Sequence, residues 1–398
     1  MANTEPGPTI PVEEYPQRWR QVQRLMDEHR IDLLLAYGDD RAVSGAAHVR
    51  WLANIPVHFE PMCVLVPRAG EPSLLCGPES DQYVLRVGQV PDVRVLREFT
   101  HPDEDYPYTK IEGLAEIMAD MAGGPGSVRR VGLAGRSLLG AETARAFEAA
   151  LPGAEWVDVE SQVCALRAKK SPAEIAVMRH AYHIAEQGIQ AAIGAIRPGV
   201  YERAVAAEAD AAMRRAGAEG TGIDTIVGSG PNSRPILARS TWRRVGATDL
   251  VLLTVAPRYE GYHAAIGRPV LVGDPGPEIR GALDAACRGQ EVCFRGLRPG
   301  RLGRDVEALG RQAVAEAGLG RYFLYSGLHS IGVIEFEPPI LGPSSTTVLE
   351  ENMVISVDIP LFNTPWGGLR VEDGYLITAG GAERLNQTPY LIEIPGGQ

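Results

Sequence analysis

Ala195-Ile-Arg-Pro-Gly-Val-Tyr-Glu-Arg-Ala-Val205 decides the reading of the fold, because Gly296-Leu-Arg-Pro-Gly-Arg-Leu-Gly-Arg-Asp-Val306 echoes it farther along the chain. The spacing is about 100 residues, and Ala216-Gly217 is echoed in the same register by Ala317-Gly318. Each copy reads as helix, Arg-Pro-Gly turn, helix and Ala-Gly stop, the glycines supplying the backbone freedom that turns and helix ends require. The short motif alone is also what two unrelated helix-loop-helix pieces would share by chance. Register kept through the second helix favours a duplicated α+β half. A β-rich stretch follows each helical pair: Asp224-Thr-Ile-Val-Gly-Ser-Gly-Pro-Asn and Asp249-Leu-Val-Leu-Leu-Thr-Val after the first, Val354-Ile-Ser-Val-Asp-Ile-Pro and Leu369-Arg-Val-Glu-Asp-Gly after the second. Two such halves facing one another leave a cleft between them, the expected place for a site.

Upstream of the repeat, Ser171-Pro-Ala-Glu174 is a helix start. The serine hydroxyl can accept a backbone N–H, proline is tolerated in the first turn, and Glu174 can reach back to the cap. A long helix is predicted from here, and a domain boundary just before it. Residues 12–165 alternate short apolar runs (Asp32-Leu-Leu-Leu-Ala-Tyr, Cys63-Val-Leu-Val, Ser73-Leu-Leu-Cys, Arg130-Val-Gly-Leu-Ala) with amphipathic stretches, the signature of an α/β domain. Residues 166–398 form the second domain, and Met1 to Pro11 reads as a loose arm.

Composition narrows the function classes. The 398 residues are 45% apolar and 22% charged, ordinary for a globular protein with a real core. A formal charge of −11 without Lys/Arg clusters argues against nucleic acid or an anionic membrane as the main partner. Cys63, Cys76, Cys164, Cys287 and Cys293 are odd in number and lack CxxC spacing, as in a reduced compartment. The start lacks the pattern of a signal peptide, and no apolar run is long enough for a span, so a cytoplasmic location is expected.

The strings Lys170-Ser-Pro-Ala-Glu-Ile, Ile226-Val-Gly-Ser-Gly-Pro-Asn, Asp249-Leu-Val-Leu-Leu, Glu260-Gly-Tyr, His329-Ser-Ile-Gly, Glu337-Pro-Pro, Glu351-Asn-Met-Val-Ile-Ser-Val and Leu369-Arg-Val-Glu-Asp resemble the creatinase and aminopeptidase P family, in that family's order. The resemblance implies an α/β N-terminal domain followed by an α+β "pita-bread" domain with a pseudo-twofold internal repeat. It also implies a homodimer, with the N-terminal domain of one subunit near the partner's site. The family's peptidases hold two divalent metals with two Asp, one His and two Glu. Here the Asp slots fall on Thr254 and Ala265, while His329, Asp358 and Glu372 keep the remaining three. Creatinase, a metal-independent relative, shares a Ser after the site His (Ser330), but its base falls on Leu237 and its guanidinium-binding Glu on Gly267.

The resemblance therefore implies a site without the metal pair, with no cofactor. Carboxylates that once shared metals repel unless one is protonated or a cation settles among them. That cation is expected to be an arginine (Arg239, Arg268 or Arg370) or a positively charged small substrate, with Glu335 or Glu337 adding further negative charge. His329 is the expected general acid/base, and Asp358 and Glu372 complete the catalytic set. Substrate contacts are expected from Arg239, Arg268, Glu335, Glu337, Arg370, His263 and Phe59. Plainer roles compete: Arg370 and Glu372 as a structural pair on one strand face, Arg268 as structural, His263 as packed. Three functions follow: a metal-independent enzyme cleaving a C–N bond in a small polar, cationic metabolite; a mononuclear or degenerate Xaa-Pro type peptidase; or a non-catalytic binding protein.

Overall fold

The computed structural model describes residues 6–40, 45–121 and 126–396. Two compact units emerge, Ile10–Leu166 and residues 167–396, the second also taking in residues 6–9. Of the Met1 to Pro11 arm, residues 1–5 lie outside the described residues.

The first unit holds a seven-stranded mixed sheet in the order Ile111–Glu112, Asp92–Leu96, Ser73–Cys76, Met62–Pro67, Leu33–Gly38, Arg130–Ala134, Glu155–Asp158. Its centre reads as an uninterrupted apolar run because both faces of Leu33–Gly38 are buried. The core packs Leu33, Leu35, Leu75, Leu96, Leu133 and Phe147 together. Three short helices, Ala47–Ala53, Asp81–Val87 and Glu160–Ala168, were not foreseen, since seven to nine residues give too little periodicity to read.

The second unit opens on the predicted capping box. Glu174 N donates to Ser171 Oγ at 3.1 Å and Ser171 N donates to Glu174 Oε2 at 2.7 Å, and the helix runs Pro172–Ala195. Helix pairs Pro172–Ala195 with Glu202–Arg215, and Pro277–Gly296 with Gly303–Glu316, carry the repeat into three dimensions. The two Arg-Pro-Gly turns share a left-handed glycine, Gly199 at φ 85° and Gly300 at φ 83°. Beyond each turn, Tyr201 bridges Arg244 and Leu302 bridges Val348 in matching places.

The helix pairs accompany a nine-stranded sheet. Its main path is Glu337–Ile340, Leu328–Ser330, Val354–Thr364, Gly367–Thr378, Ile266–Val272, Leu250–Val255, Ile226–Ser229. One apolar cluster joins Ile279, Leu283, Ala286 and Cys293 of the Pro277–Gly296 helix to Val357, Ile359, Leu369 and Val371 of the central strands. These residues alternate with Ser356, Asp358, Arg370 and Glu372, so the polar set is turned to the opposite face of the same strands. No helix among the described residues is long and apolar enough to cross a membrane.

Candidate functional site

Strand register assembles the site. Asp358 stands opposite Glu372, Glu372 opposite Gly267, Gly267 opposite Thr254, and His329 opposite Ser356. Period-two alternation puts these side chains on one face, with Arg370 two residues before Glu372. Glu335 joins them from the irregular segment after Leu328–Ser330. All of these polar side chains are buried, His329 and Glu372 to within 1% and Glu335 to within 7% of full enclosure.

A ring of polar contacts closes around the cluster. Arg370 Nη2 donates to Thr254 Oγ1 at 2.8 Å, its Nε lies 3.0 Å from Glu372 Oε2, and its Nη1 reaches the Tyr325 hydroxyl at 3.4 Å. Tyr325 donates to Asp358 Oδ2 at 2.9 Å. Ser356 Oγ lies 3.2 Å from Asp358 Oδ1 and 3.4 Å from Glu372 Oε1, bridging the two acids. His329 Nδ1 sits 2.9 Å from the Ser330 carbonyl, which can only accept, so the proton is on Nδ1 and the Nε2 lone pair turns inward, 3.7 Å from Asp358 Oδ1.

The electrostatics follow from crowding several charges in a dry site. Burial, then the Glu372 and Asp358 charges, pushes the Glu335 carboxyl up to about 8. Burial likewise raises Glu372 to about 7, with Arg370 pulling the other way, and Asp358 also rises. Burial works against the Arg370 cation, but Glu372, Tyr325 and Asp358 outweigh it and hold its pKa well above the usual range. Burial presses His329 down to about 4, so its imidazole is neutral near pH 7.

The donor set does not fit two metals. A dinuclear centre needs carboxylates that bridge and neutralise two ions. Thr254 offers a neutral hydroxyl, Ala265 offers nothing, and a guanidinium lies between Thr254 and Glu372. The sequence left the compensating cation open among three arginines and a positively charged substrate; of the three arginines, Arg370 is the one beside the acids. A place for one ion persists all the same, since ligand atoms of His329, Glu335 and Glu372 lie within 4.8 Å of one another.

Other residues expected at the site lie elsewhere. Arg268, one residue out of phase with Gly267, turns to the opposite face. It donates to Asp373 Oδ1 at 2.5 Å and to Asn386 and the carbonyls of Gly267, Glu372, Thr388 and Pro389, so a structural role replaces the expected substrate contact. Glu337 is fully buried between Arg167, at 2.8 Å, and Lys170, at 3.5 Å, which fixes it as a structural anion. Arg239 is exposed and pairs with exposed Asp224. His263 is buried, with Nδ1 3.1 Å from the Gly332 carbonyl and a pKa pressed down to about 3, chiefly by burial. Phe59 belongs to the other unit, where it is exposed, has φ 67° and packs on His101. Phe336 stacks on His329 with ring centroids 4.3 Å apart. The sequence reading missed Tyr325 and Tyr182. The Tyr182 hydroxyl is buried against Gly374, within reach of the Ala265 backbone.

The profile for metallopeptidase family M24 matches residues 176–379, and that for the creatinase/prolidase N-terminal domain matches residues 18–169. The chain is 32% identical over 234 residues to an Xaa-Pro dipeptidase of Pyrococcus furiosus, covering 59% of this chain and 67% of that one. Among solved structures, a prolidase from Pyrococcus horikoshii matches with a TM-score of 0.81 at 24% identity, over 94% of this chain and 99% of that chain. An Xaa-Pro dipeptidase from Bacillus anthracis matches with a TM-score of 0.79 at 25% identity, over 96% and 100%. A pita-bread domain behind a creatinase-type N-terminal domain, and membership of a family of C–N bond hydrolases, both agree with the sequence reading. The chain belongs to metallopeptidase family M24.

Proposed function

We propose that this chain hydrolyses the C–N bond of a small peptide-like amide, an Xaa-Pro type dipeptide being the first candidate. The observation that carries the reading is the buried convergence of His329, Glu335, Asp358 and Glu372 around the Arg370 guanidinium. Three of these groups, His329, Glu335 and Glu372, bring ligand atoms within 4.8 Å of one another and call for a positive occupant. A dipeptide's ammonium group is one such occupant. The sequence put a small cationic metabolite first and an Xaa-Pro type peptidase second, and the relatives support the second.

Proton handling falls to Asp358 rather than His329. The imidazole gives its one N–H to the Ser330 carbonyl and is a weak base at neutral pH. Asp358 Oδ2 is held by the Tyr325 hydroxyl, and Oδ1 faces His329 and Ser356, so the carboxylate is oriented before substrate arrives. It takes a proton from the attacking water and returns it to the leaving nitrogen. Arg370 stands beside the carboxylates with its charge enforced, able to balance negative charge that develops on the cleaved carbonyl.

Amine release from a panel of dipeptides, led by Xaa-Pro sequences, and of small amides and amidines tests this reading. Wild type should cleave at least one compound, and Asp358→Asn should lower kcat by about 10²-fold or more. Equal release by wild type and by both Asp358→Asn and His329→Ala would sink it. The homodimer implied by the resemblance belongs to the same proposal, supported by exposed Phe59, Tyr83 and Tyr108 on the N-terminal unit. Light scattering should then give a mass near twice 42.8 kDa.

A further inference from the structure

We propose that the site is rebuilt for a single divalent metal ion, with Glu335 as a ligand from outside the five-residue set and Arg370 as a tethered substitute for the second cation. The inference deepens the hydrolase reading by naming the positive occupant.

Three observations carry it. The first is convergence: a ring nitrogen of His329, a Glu335 oxygen and a Glu372 oxygen lie within 4.8 Å of one another, and all three residues are buried. Tetrahedral ligands at about 2.0–2.2 Å from a zinc ion stand roughly 3.3–3.6 Å apart, so side-chain rotations that close the gap by about an ångström carry this arrangement to a bound one. A nitrogen and two carboxylates suit a first-row divalent ion with open positions for water or substrate.

The second is availability. Glu335 is 93% enclosed, being 7% exposed, and has no hydrogen bond or ion pair among the described residues. A buried carboxylate without a partner is costly, and a ligand relieves that cost. Glu372 Oε2 is likewise without a hydrogen bond; Arg370 Nε approaches it at 3.0 Å but outside hydrogen-bond geometry, leaving the lone pair free to turn. Glu337, two residues from Glu335, shows the contrast, since it is held by Arg167 and Lys170.

The third is charge. Glu335, Asp358 and Glu372 can set three negative charges against the Arg370 guanidinium, so two negative charges are unmatched when all three acids ionise. One divalent ion cancels them; two would overshoot. The five-residue set has four carboxylates for two ions, and the balance here is the same after one ion has been exchanged for an arginine. A bound ion would polarise the scissile carbonyl and acidify water, chemistry that Arg370 alone supplies only in part.

Zn²⁺ and Mn²⁺, each offered alone to metal-stripped full-length protein in equilibrium dialysis and titration calorimetry, test the inference. Wild type should take up one ion per chain. Glu335→Gln should weaken binding at least tenfold, and the exposed-site variant Arg239→Gln should leave it unchanged. Two ions per chain, no uptake at millimolar metal, or unchanged affinity in Glu335→Gln would each overturn it. The wild-type stoichiometry decides the matter even if Glu335→Gln does not fold. C–N cleavage by a chain that binds no metal would leave the hydrolase reading standing with the substrate's own ammonium as occupant. One bound ion without turnover of any panel compound would do the reverse.

Discussion

Arg370 Nη2 donates to Thr254 Oγ1 at 2.8 Å across the sheet, and the same guanidinium lies 3.0 Å from Glu372. An arginine thus sits between a neutral hydroxyl and a buried carboxylate. Register accounts for it: Thr254, Gly267 and Glu372 are successive cross-strand partners, and Gly267, having no side chain, leaves the space that Arg370 and Glu372 fill.

Arg370→Met removes a guanidinium from a buried acidic cluster. Breaking a buried ion pair costs about 3–5 kcal/mol, because the remaining charge has no solvent. Urea unfolding at pH 8 should show a loss of that order, reduced at pH 6, where protons can neutralise the acids. Glu372 and Glu335 have raised folded-state pKa values, so the stability that their protonation contributes is present at low pH and lost as pH rises through about 7 and 8. Equal losses at both pH values would contradict the cluster's electrostatics.

Gly374→Ala places a methyl group where the Tyr182 hydroxyl and ring end sit. Overpacking of this kind costs roughly 1–3 kcal/mol, and shrinking residue 182 to Leu in the same chain should recover part of it. Tyr182→Phe alone deletes a buried hydroxyl that reaches the Ala265 backbone only outside good hydrogen-bond geometry, and should change stability by no more than about 1 kcal/mol. Thermal unfolding of the three variants checks the set. A clear destabilisation by Tyr182→Phe would show that the hydroxyl has a partner.

His263 has the opposite pH dependence from the acids. Its folded pKa is depressed to about 3 against an ordinary value of 6.5, so the unfolded chain takes up a proton that the native chain refuses. Its contribution is full above pH 6.5 and falls by up to about 1.4 kcal/mol per pH unit below it, until about pH 3. The difference in urea midpoint between wild type and His263→Leu should therefore narrow or reverse between pH 7 and pH 5. A difference independent of pH would refute the burial argument.

The fold was legible because it is written in local chemistry repeated at long range. The capping box at Ser171, the paired Arg-Pro-Gly turns and the alternating N-terminal runs each carry their own physical signal. The site was legible only in part. Strand parity places Arg370 with Glu372 and sends Arg268 to the other face once Gly267 is known to oppose Glu372, but that register is a tertiary fact. Glu335 and Glu337 share parity, and only the irregular segment before Glu337 separates an inward-facing acid from one held by Arg167 and Lys170. Tyr325 and Tyr182 reach the site from a loop and a helix whose approach no short pattern encodes.

The most direct test of the rebuilt site is the anomalous-difference map of crystals soaked in Mn²⁺ or Zn²⁺. The account predicts one peak per chain, about 2.0–2.3 Å from His329 Nε2 and from oxygens of Glu335 and Glu372. Arg370 should still be bonded to Thr254. Two peaks about 3.5–4 Å apart, or a single peak that has displaced Arg370 from Thr254, would contradict it.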